Sequence, residues 1–180
     1  MAQNTGLHVC TGTMKTKLKL SLLLAATLGA ASVLAAETKS GDVTVSFHES
    51  DKFTDARSTF GGSTDEGYLD SLAKHVKNAA ERYLAPGQKL EVTFTDIDLA
   101  GDFIPASVRA QDVRIIKDIY IPRQKLTFKL LDADGRVLKE GERRLSDMNF
   151  MNNAGVVGRN EPLFYDKALL TDWLRTEFKQ

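Results

Sequence analysis

Three aspartates lie close together at the end of a predicted strand, and carboxylates so placed can do chemistry. They are Asp96, Asp98 and Asp102, all within the stretch TFTDIDLAGDF at residues 93–103. Carboxylate oxygens are the ligands that Ca²⁺ and Mg²⁺ prefer, and carboxylates also act as general acids and bases. Asp96 and Asp98 alternate and therefore share one face of a strand, while Gly101 lets the chain fold Asp102 back towards them. A metal-dependent enzyme or hydrolase built on these three residues is one hypothesis.

The hydrophobic pattern before the aspartates favours a second interpretation. The buried face of the strand is predicted to carry Leu90, Val92 and Phe94. Asp96 and Asp98 continue that face, which a carboxylate rarely occupies. Either the strand ends at Thr95, or a bulge there reverses the alternation and brings Ile97 and Leu99 into the core. Both arrangements leave the aspartates as solvated turn and capping residues, and we predict that they form no tight metal site.

A second group of candidates combines positive charge with an aromatic ring. The stretch DVRIIKDIYIPR at residues 112–123 interleaves basic, acidic and aliphatic side chains. A sheet face of mixed charge explains this pattern without any function. The functional alternative is a groove for an anion or a peptide beside Tyr120, with Arg114 and Arg123 as its cationic groups. Together with the three aspartates, these residues form the candidate ligand-binding set.

Other patterns with possible chemistry have a structural explanation or lack a required residue. DADG at residues 132–135 is predicted to be a hairpin turn, because its glycine follows the second aspartate directly, unlike in a calcium-binding loop. His48 and His75 are the only histidines after residue 35, and neither belongs to an HExxH zinc motif. Ser63 follows Gly62 without the GxSxG frame of a serine hydrolase. The sequence therefore predicts no cofactor and weakens the enzyme hypothesis.

The N-terminal segment has the features of a secretory signal peptide. Three lysines, an apolar run of about 15 residues and a small-x-Ala cleavage pattern follow one another. The apolar run is shorter than the roughly 20 residues that span a bilayer. We expect residues 1–35 to comprise a short extension and a cleaved signal, with translation starting at Met14. Cleavage after Ala35 would leave a single periplasmic domain at residues 36–180, with no transmembrane segment.

The composition of this predicted mature domain excludes some protein classes. The single cysteine, Cys10, falls in the removed part, so the domain is predicted to have no disulfide. The chain has 24 basic and 24 acidic residues, and three of the basic ones are removed, which leaves a net charge of −3. A dedicated nucleic-acid binder would carry a basic stripe, so we expect no nucleic-acid partner.

The elements that would position the candidate residues follow from periodicity. Alternating patterns predict strands at residues 42–48, 88–95, 112–121, 126–130 and 136–145, the last two joined as a hairpin by Gly135. A capping box at Ser63 and Glu66 predicts the start of the first helix, with a buried face of Leu69, Leu72, Val76, Ala80 and Tyr83. Pro162 predicts the first turn of the last helix, with a buried face of Leu163, Leu170, Trp173, Leu174 and Phe178. The order β-α-β-β-β-β-α predicts an α+β fold, a mainly antiparallel sheet of about five strands with helices packed on one face.

Five segments, in the same order and over nearly all of the predicted mature chain, resemble one protein family. They are FTDAR at 53–57, YLAPGQKLEVTFTDIDLAGDF at 83–103, DVRIIKDIYIPR at 112–123, LLDADGRVLKEGERRL at 130–145 and YDKALLTDWLRTEF at 165–178. The family is domain of unknown function 3016, a group of uncharacterised exported bacterial proteins. The resemblance implies a small exported envelope protein, and it supplies no catalytic residues to assign here.

The expected function is therefore binding. The leading hypothesis is a non-enzymatic periplasmic domain that binds an envelope protein or a small-molecule ligand. The alternative is the metal-dependent enzyme or hydrolase that uses Asp96, Asp98 and Asp102. The two differ in geometry, since an enzyme should show the three carboxylates converging in one pocket, whereas a binding domain should show them apart.

Overall fold

The computed structural model describes residues 42–59, 61–103, 113–153 and 160–179, and the predicted signal peptide lies outside them. The described part contains six strands, three α-helices and two short 3₁₀ turns, at Ser50–Lys52 and Glu81–Tyr83. The strands are β1 (Asp42–Phe47), β2 (Lys89–Asp98), β3 (Asp102–Phe103), β4 (Arg114–Ile115), β5 (Arg123–Leu131) and β6 (Val137–Ser146). The helices are α1 (Glu66–Ala80), α2 (Phe150–Asn153) and α3 (Phe164–Phe178).

Four of the strands form one mixed sheet in the order β1-β2-β5-β6. β1 pairs with β2 in parallel, whereas β2–β5 and β5–β6 are antiparallel. The parallel pair follows from the long connection through α1, because parallel neighbours need a crossover. The β5–β6 hairpin turns at Gly135, whose φ of 83° suits glycine. The predicted α+β class is confirmed, with one parallel pair in a mainly antiparallel sheet.

The predicted strand at residues 112–121 is much shorter in the structure. Only Arg114–Ile115 is extended, and this short strand pairs with Asp102–Phe103 in a separate two-stranded sheet. The chain then turns, with the Tyr120 N–H donating to the Lys117 carbonyl at 3.0 Å. This local turn competes with the aliphatic alternation that predicted a longer strand, so the main sheet has four strands instead of five.

The hydrophobic core lies between one face of the main sheet and two helices, α1 and α3. Strands β2 and β5 bury alternate side chains on this face, while the residues between them are exposed or half-buried. The predicted stripe of α1 is buried at Leu69, Leu72, Val76 and Ala80. The α3 stripe is buried at Leu170, Trp173, Leu174 and Phe178. Both helices therefore cover the same face, as the order of the elements predicted. Two members of the predicted stripes, Tyr83 and Leu163, lie outside the helices and are only half-buried.

Both predicted helix starts need correction. The N-cap of α1 is Asp65, whose Oδ1 accepts the Tyr68 N–H at 3.1 Å, and not Ser63. The chain is still extended before it, because Thr64 forms a β-bridge with Arg57. Helix α3 begins at Phe164, preceded by Leu163 at a φ of 60°, a left-handed conformation that separates the helix from Pro162.

A β-bulge decides which way the predicted acidic stretch faces. The register between β2 and β5 shifts between Phe94 and Asp96. After the shift, Ile97 and Leu99 are buried in the core, as Phe94 is before it. The second of the two sequence-based arrangements is therefore confirmed. It turns Asp96 and Asp98 to the opposite face of the sheet.

No helix in these four stretches of chain is long and apolar enough to cross a membrane.

Candidate functional site

Asp96 is held by partners from two other parts of the chain. Its Oδ2 accepts from Lys125 Nζ of the neighbouring strand at 2.8 Å. Its Oδ1 accepts the Thr54 N–H at 2.9 Å, and the Thr54 hydroxyl donates to Oδ2 at 3.1 Å. Partial burial works to raise the pKa of Asp96, but Lys125 and the Thr54 donors outweigh it, so the pKa lies below its ordinary value. The ionised form of this carboxylate is therefore favoured, and both of its oxygens accept hydrogen bonds from Thr54 or Lys125.

Asp98 lies one pleat further along β2 and pairs with Arg123. The Arg123 Nη1 donates to its Oδ2 at 2.9 Å. The pKa of Asp98 lies above its ordinary value, chiefly because of burial, and the carboxylates of Asp55 and Asp96 add to the rise, while Arg123 opposes it. Asp98 therefore lies near two other negative charges, Asp55 and Asp96, and one positive charge, Arg123, which partly offsets them.

The Asp102 carboxylate is bonded to its own segment of backbone. Its Oδ1 accepts the N–H of its own neighbour Phe103 at 2.7 Å. It forms no ion pair within the described ranges. Among the residues that the structure describes, no group of three His, Cys, Asp or Glu side chains is placed to hold a metal ion. The arrangement gives no support to the enzyme hypothesis built on Asp96, Asp98 and Asp102.

The expectation that the aspartates are solvated turn and capping residues also needs correction. Asp96 and Asp98 belong to β2 itself, and both side chains are mostly covered. The reason is the bulge, which extends the strand and places the two acids opposite the basic residues of β5, Lys125 and Arg123. Cross-strand pairs of opposite charge stabilise a sheet, so these acids contribute to the pairing of β2 with β5.

Arg114 is the most highly connected candidate, and its connections are internal. Nη1 donates to Asp55 Oδ2 at 2.8 Å and to the Gly101 carbonyl at 2.9 Å. Nη2 donates to Asp55 Oδ1 at 3.1 Å and to the Arg57 carbonyl at 2.9 Å. The guanidinium also lies over the Phe103 ring, 4.6 Å from its centroid. With the side chain only 11% exposed, Arg114 joins several parts of the chain and presents little surface to a ligand.

Asp55 is the residue at this site that sequence reasoning missed. It is buried between Arg114 and Arg57, which approaches its Oδ1 at 3.1 Å. Burial works to raise the pKa of Asp55, but both arginines outweigh it, so the pKa lies below its ordinary value. The available signal was the FTDAR segment itself, which carries an acid and a base two residues apart.

The FTDAR segment is positioned by the part of β2 that follows the bulge. The Asp55 N–H donates to the Ile97 carbonyl, and the Leu99 N–H donates to the Asp55 carbonyl, both at 2.9 Å. Asp55 thereby forms a parallel bridge with Asp98. The segment extends the β1 side of the sheet beyond the end of that strand, and it brings Thr54, Asp55 and Arg57 to the aspartates.

These elements enclose a small opening, which we name the sheet-end cleft. It has a volume of about 240 Å³. Its walls are residues 54–57, 98–102 and 119–123, and the candidate residues that line it are Asp98, Asp102, Tyr120 and Arg123. Arg114 is not in the lining, although it bonds to the cleft residues Asp55 and Gly101. Four of the six candidates are therefore brought together.

A second opening lies on the other side of the Asp98–Arg123 pair, and we name it the outer-face cavity. It has a volume of about 360 Å³ and includes Asp96, Lys125 and Arg144. Thr54, Asp98 and Arg123 line both openings. The ion pair is thus a wall common to both openings, which we together name the groove at the sheet end. All the candidates except Arg114 line one of the two openings or both.

A larger opening lies elsewhere, between the end of β6 and helices α2 and α3. It has a volume of about 480 Å³ and is lined in part by Phe150, Tyr165 and Asp172. None of the six candidate residues reaches it, and Asp172 already pairs with Arg175. Size alone does not make a site, and the convergence of charged groups favours the groove at the sheet end.

Comparison with known proteins places the chain in a family. A search of curated proteins gave no match. Among solved structures, a PelC dodecamer from Paraburkholderia phytofirmans is similar at 12% identity, covering 79% of this chain and 91% of that one, with a TM-score of 0.38, too low to bear on function. Residues 41–176 match the model of the family described as protein of unknown function (DUF3016). This confirms the resemblance seen in the sequence, and the chain belongs to that family.

Proposed function

We propose that this chain is an exported, non-enzymatic binding domain of the bacterial envelope. We further propose that the groove formed by the sheet-end cleft and the outer-face cavity receives an extended segment of an envelope protein. The observation that carries the proposal is the Asp98–Arg123 pair, which lines both openings. Two adjacent openings that share a wall suit an extended segment, because its successive side chains can enter separate pockets.

The lining has the mixed character of a protein-recognition surface. Ile119 is 68% exposed at the rim, beside Tyr120, and aromatic and apolar side chains provide most of the contact energy at interfaces. Arg123 uses one nitrogen for Asp98 and is more than half exposed, which leaves other N–H groups for an acceptor on the partner. Charged groups of both signs would then set the orientation of the bound segment.

The enzyme hypothesis receives no comparable support. Asp96 and Asp98 are each committed to a separate cation, Lys125 and Arg123. A catalytic carboxylate pair would need both groups to face one reacting atom. In the groove they act as ion-paired walls instead.

Export is the second part of the proposal, and it rests on the sequence. The lysines, the apolar run and the cleavage pattern before Ala36 are those of a secretory signal. A periplasmic location would give the groove access to other envelope proteins.

Site-specific photo-crosslinking in the producing bacterium tests the binding proposal. A photoreactive amino acid would replace Ile119 at the groove in one variant and Leu138 in the control variant. Leu138 is also well exposed, at 53% against 68% for Ile119, but it lies at the opposite end of the β5–β6 hairpin. We expect a protein adduct of defined mass from position 119 and none from position 138.

A charge reversal in the groove provides the second arm of this experiment. Arg123→Glu breaks the shared wall without touching the core, so the adduct from position 119 should disappear. Equal labelling at positions 119 and 138, or an adduct that persists in Arg123→Glu, would contradict the proposal. An adduct of only small mass would show that the groove binds a small molecule instead of a protein.

A further inference from the structure

One acidic side chain is buried in the core side of the molecule, close to the wall of the sheet-end cleft. Asp166 lies in the first turn of α3 and is only 2% exposed. Its two carboxyl oxygens lie 3.2 and 3.4 Å from the Ala100 N–H, which they accept. Ala100 directly precedes Gly101, a cleft residue. A single contact therefore ties the start of α3 to the turn that forms part of the cleft.

The groups around Asp166 come from every element packed against it. Arg114 of β4 is a positive charge that acts on this carboxyl, and its Nε is buried without a hydrogen-bond partner. Gln124 of β5 faces the same carboxyl and favours its ionised form, although its buried amide nitrogen and oxygen form no well-aligned hydrogen bond. Tyr68 of α1 and Glu161, before α3, line a cavity of about 190 Å³ that also holds Arg114 and Asp166.

The two protonation states of Asp166 make different demands on these neighbours. Ionised, the carboxylate only accepts, so it attracts both the free Nε–H of Arg114 and the amide N–H of Gln124. Neutral, the carboxyl also donates, and the unpaired amide oxygen of Gln124 is an acceptor for its hydroxyl. The Ala100 N–H is accepted in both states. Loss of the proton therefore removes the donor that the Gln124 oxygen could accept and adds an attraction between the carboxylate and the Arg114 guanidinium.

We propose that Asp166 is a proton-operated clamp on the sheet-end cleft. When protonated, it leaves Arg114 to Asp55, Arg57 and Gly101, which all belong to the cleft wall. When ionised, it draws the guanidinium towards α3 and loosens that wall. The consequence for binding rests on the proposed function, whereas the clamp itself does not.

The environment sets the clamp to respond near neutral pH. Complete burial raises the pKa of Asp166 to about 7, and the Ala100 N–H and Arg114 only partly oppose this rise. A folded-state pKa above the unfolded value of 3.8 means that the folded protein holds the proton more tightly. The resulting stabilisation is present at low pH and is lost as pH rises towards about 7.

A second, half-buried group affects stability in the opposite direction, so its effect must be separated from that of Asp166. His75 of α1 has a pKa below its ordinary value of 6.5, chiefly because of burial. Its contribution to stability is present above 6.5 and declines as pH falls through that value. A melting curve would mix the two effects, so the test needs a signal from each site.

Site-resolved NMR titration of the mature protein provides that signal. The carboxyl carbon of Asp166 should titrate with a midpoint near 7. The backbone amides of Asp55 and Gly101 should shift with the same midpoint, because Arg114 contacts both residues. Asp166→Asn should remove these amide shifts, whereas the matched control His75→Gln should retain them.

Three results would overturn the clamp. They are a carboxyl midpoint in the ordinary aspartate range of about 4, amides at Asp55 and Gly101 that do not move, or amide shifts that persist in Asp166→Asn. If that variant does not fold, the coincidence of the carboxyl and amide midpoints in His75→Gln decides the question. No ligand is present in this experiment, so its result is independent of whether crosslinking at Ile119 succeeds.

Discussion

At the scale of single residues, the arginine behind the cleft has the largest structural role. Arg114 makes four hydrogen bonds to Asp55, Gly101 and Arg57 in a mostly buried setting. Bidentate pairing of this kind needs the planar fork of a guanidinium, which a lysine does not have. Arg114 therefore determines where the FTDAR segment and the β2–β3 turn lie relative to each other.

Removal of this side chain should strongly destabilise the protein. Arg114→Met would leave the Asp55 carboxylate buried without its main partner, which typically costs about 3–5 kcal/mol. Arg114→Lys should lose most of the same free energy. The matched control is Arg144→Met, because Arg144 forms an exposed ion pair with Glu142 at 3.5 Å. Exposed ion pairs contribute less than about 1 kcal/mol to the free energy of unfolding. Urea unfolding measures all three, and a loss below about 1 kcal/mol in Arg114→Met would contradict this role.

The sequence identified several candidate residues but not their partners, because the partners lie far away along the chain. The acids Asp96 and Asp98 were identified from their spacing alone, and so was the basic pair around Tyr120. Their environments were not, because Asp55 lies 59 positions from Arg114 and Asp98 lies 25 positions from Arg123. A single sequence carries no signal for such pairings. The carboxylates were therefore considered as free metal ligands or catalytic groups, whereas in the structure Asp96 and Asp98 form ion pairs.

At the scale of elements, the β2 bulge and the last helix matter most. The bulge reverses the alternation after Phe94, and it lets one strand bury Ile97 while turning its acids to the groove. Helix α3 closes the core from the other side. Trp173 lies between Phe128 and Phe178, with both ring centroids 5.9 Å away. The helix is thus fixed to the sheet by an aromatic cluster.

Truncation within that cluster should cost much of the stability. Trp173→Ala removes a buried side chain and leaves a cavity, an effect of about 3–5 kcal/mol against total stabilities of about 5–15 kcal/mol. Leu138→Ala is the control, since Leu138 is well exposed and should change stability little. Thermal melting compares the two. A Trp173→Ala melting temperature equal to that of Leu138→Ala would show that α3 is peripheral.

The elements that were predicted well are those defined by local signals. The β5–β6 hairpin follows from alternation around Gly135, and the buried stripe of α1 follows from its helical spacing. The errors arose where a tertiary contact or a local turn decided the outcome. Thr64 stays extended because it bridges to Arg57, which moves the cap to Asp65. The strand predicted around Ile119 gives way to a turn.

At the scale of the whole molecule, the layers explain where binding can occur. In the part of the chain that the structure describes, α1 and α3 cover one face of the sheet, and the side chains on its other face are exposed or half-buried. The candidate groove lies at one end of this sheet. The layered α+β architecture was predictable because runs of strands flanked by helices have few stable arrangements.

Export can be tested on the complete protein. N-terminal sequencing of material from the periplasm should show a chain that begins near Ala36. Replacing Lys15, Lys17 and Lys19 with glutamate removes the positive region that a signal peptide requires, so the variant should remain in the cytoplasm. Envelope material that still begins at Met14 would contradict cleavage and, with it, the proposed location.

The central claim is that Asp96 and Asp98 are ion-paired walls of a groove and not a metal centre. A ligand that binds only the folded state raises stability by about 2.7 kcal/mol at 100 times its dissociation constant, so thermal melting with added Ca²⁺ or Mg²⁺ is the most direct test. We predict an unchanged melting temperature, and only a modest change in Asp98→Asn, which keeps an acceptor for Arg123. A melting temperature that rises to saturation with metal, and does not rise in Asp98→Asn, would contradict the claim.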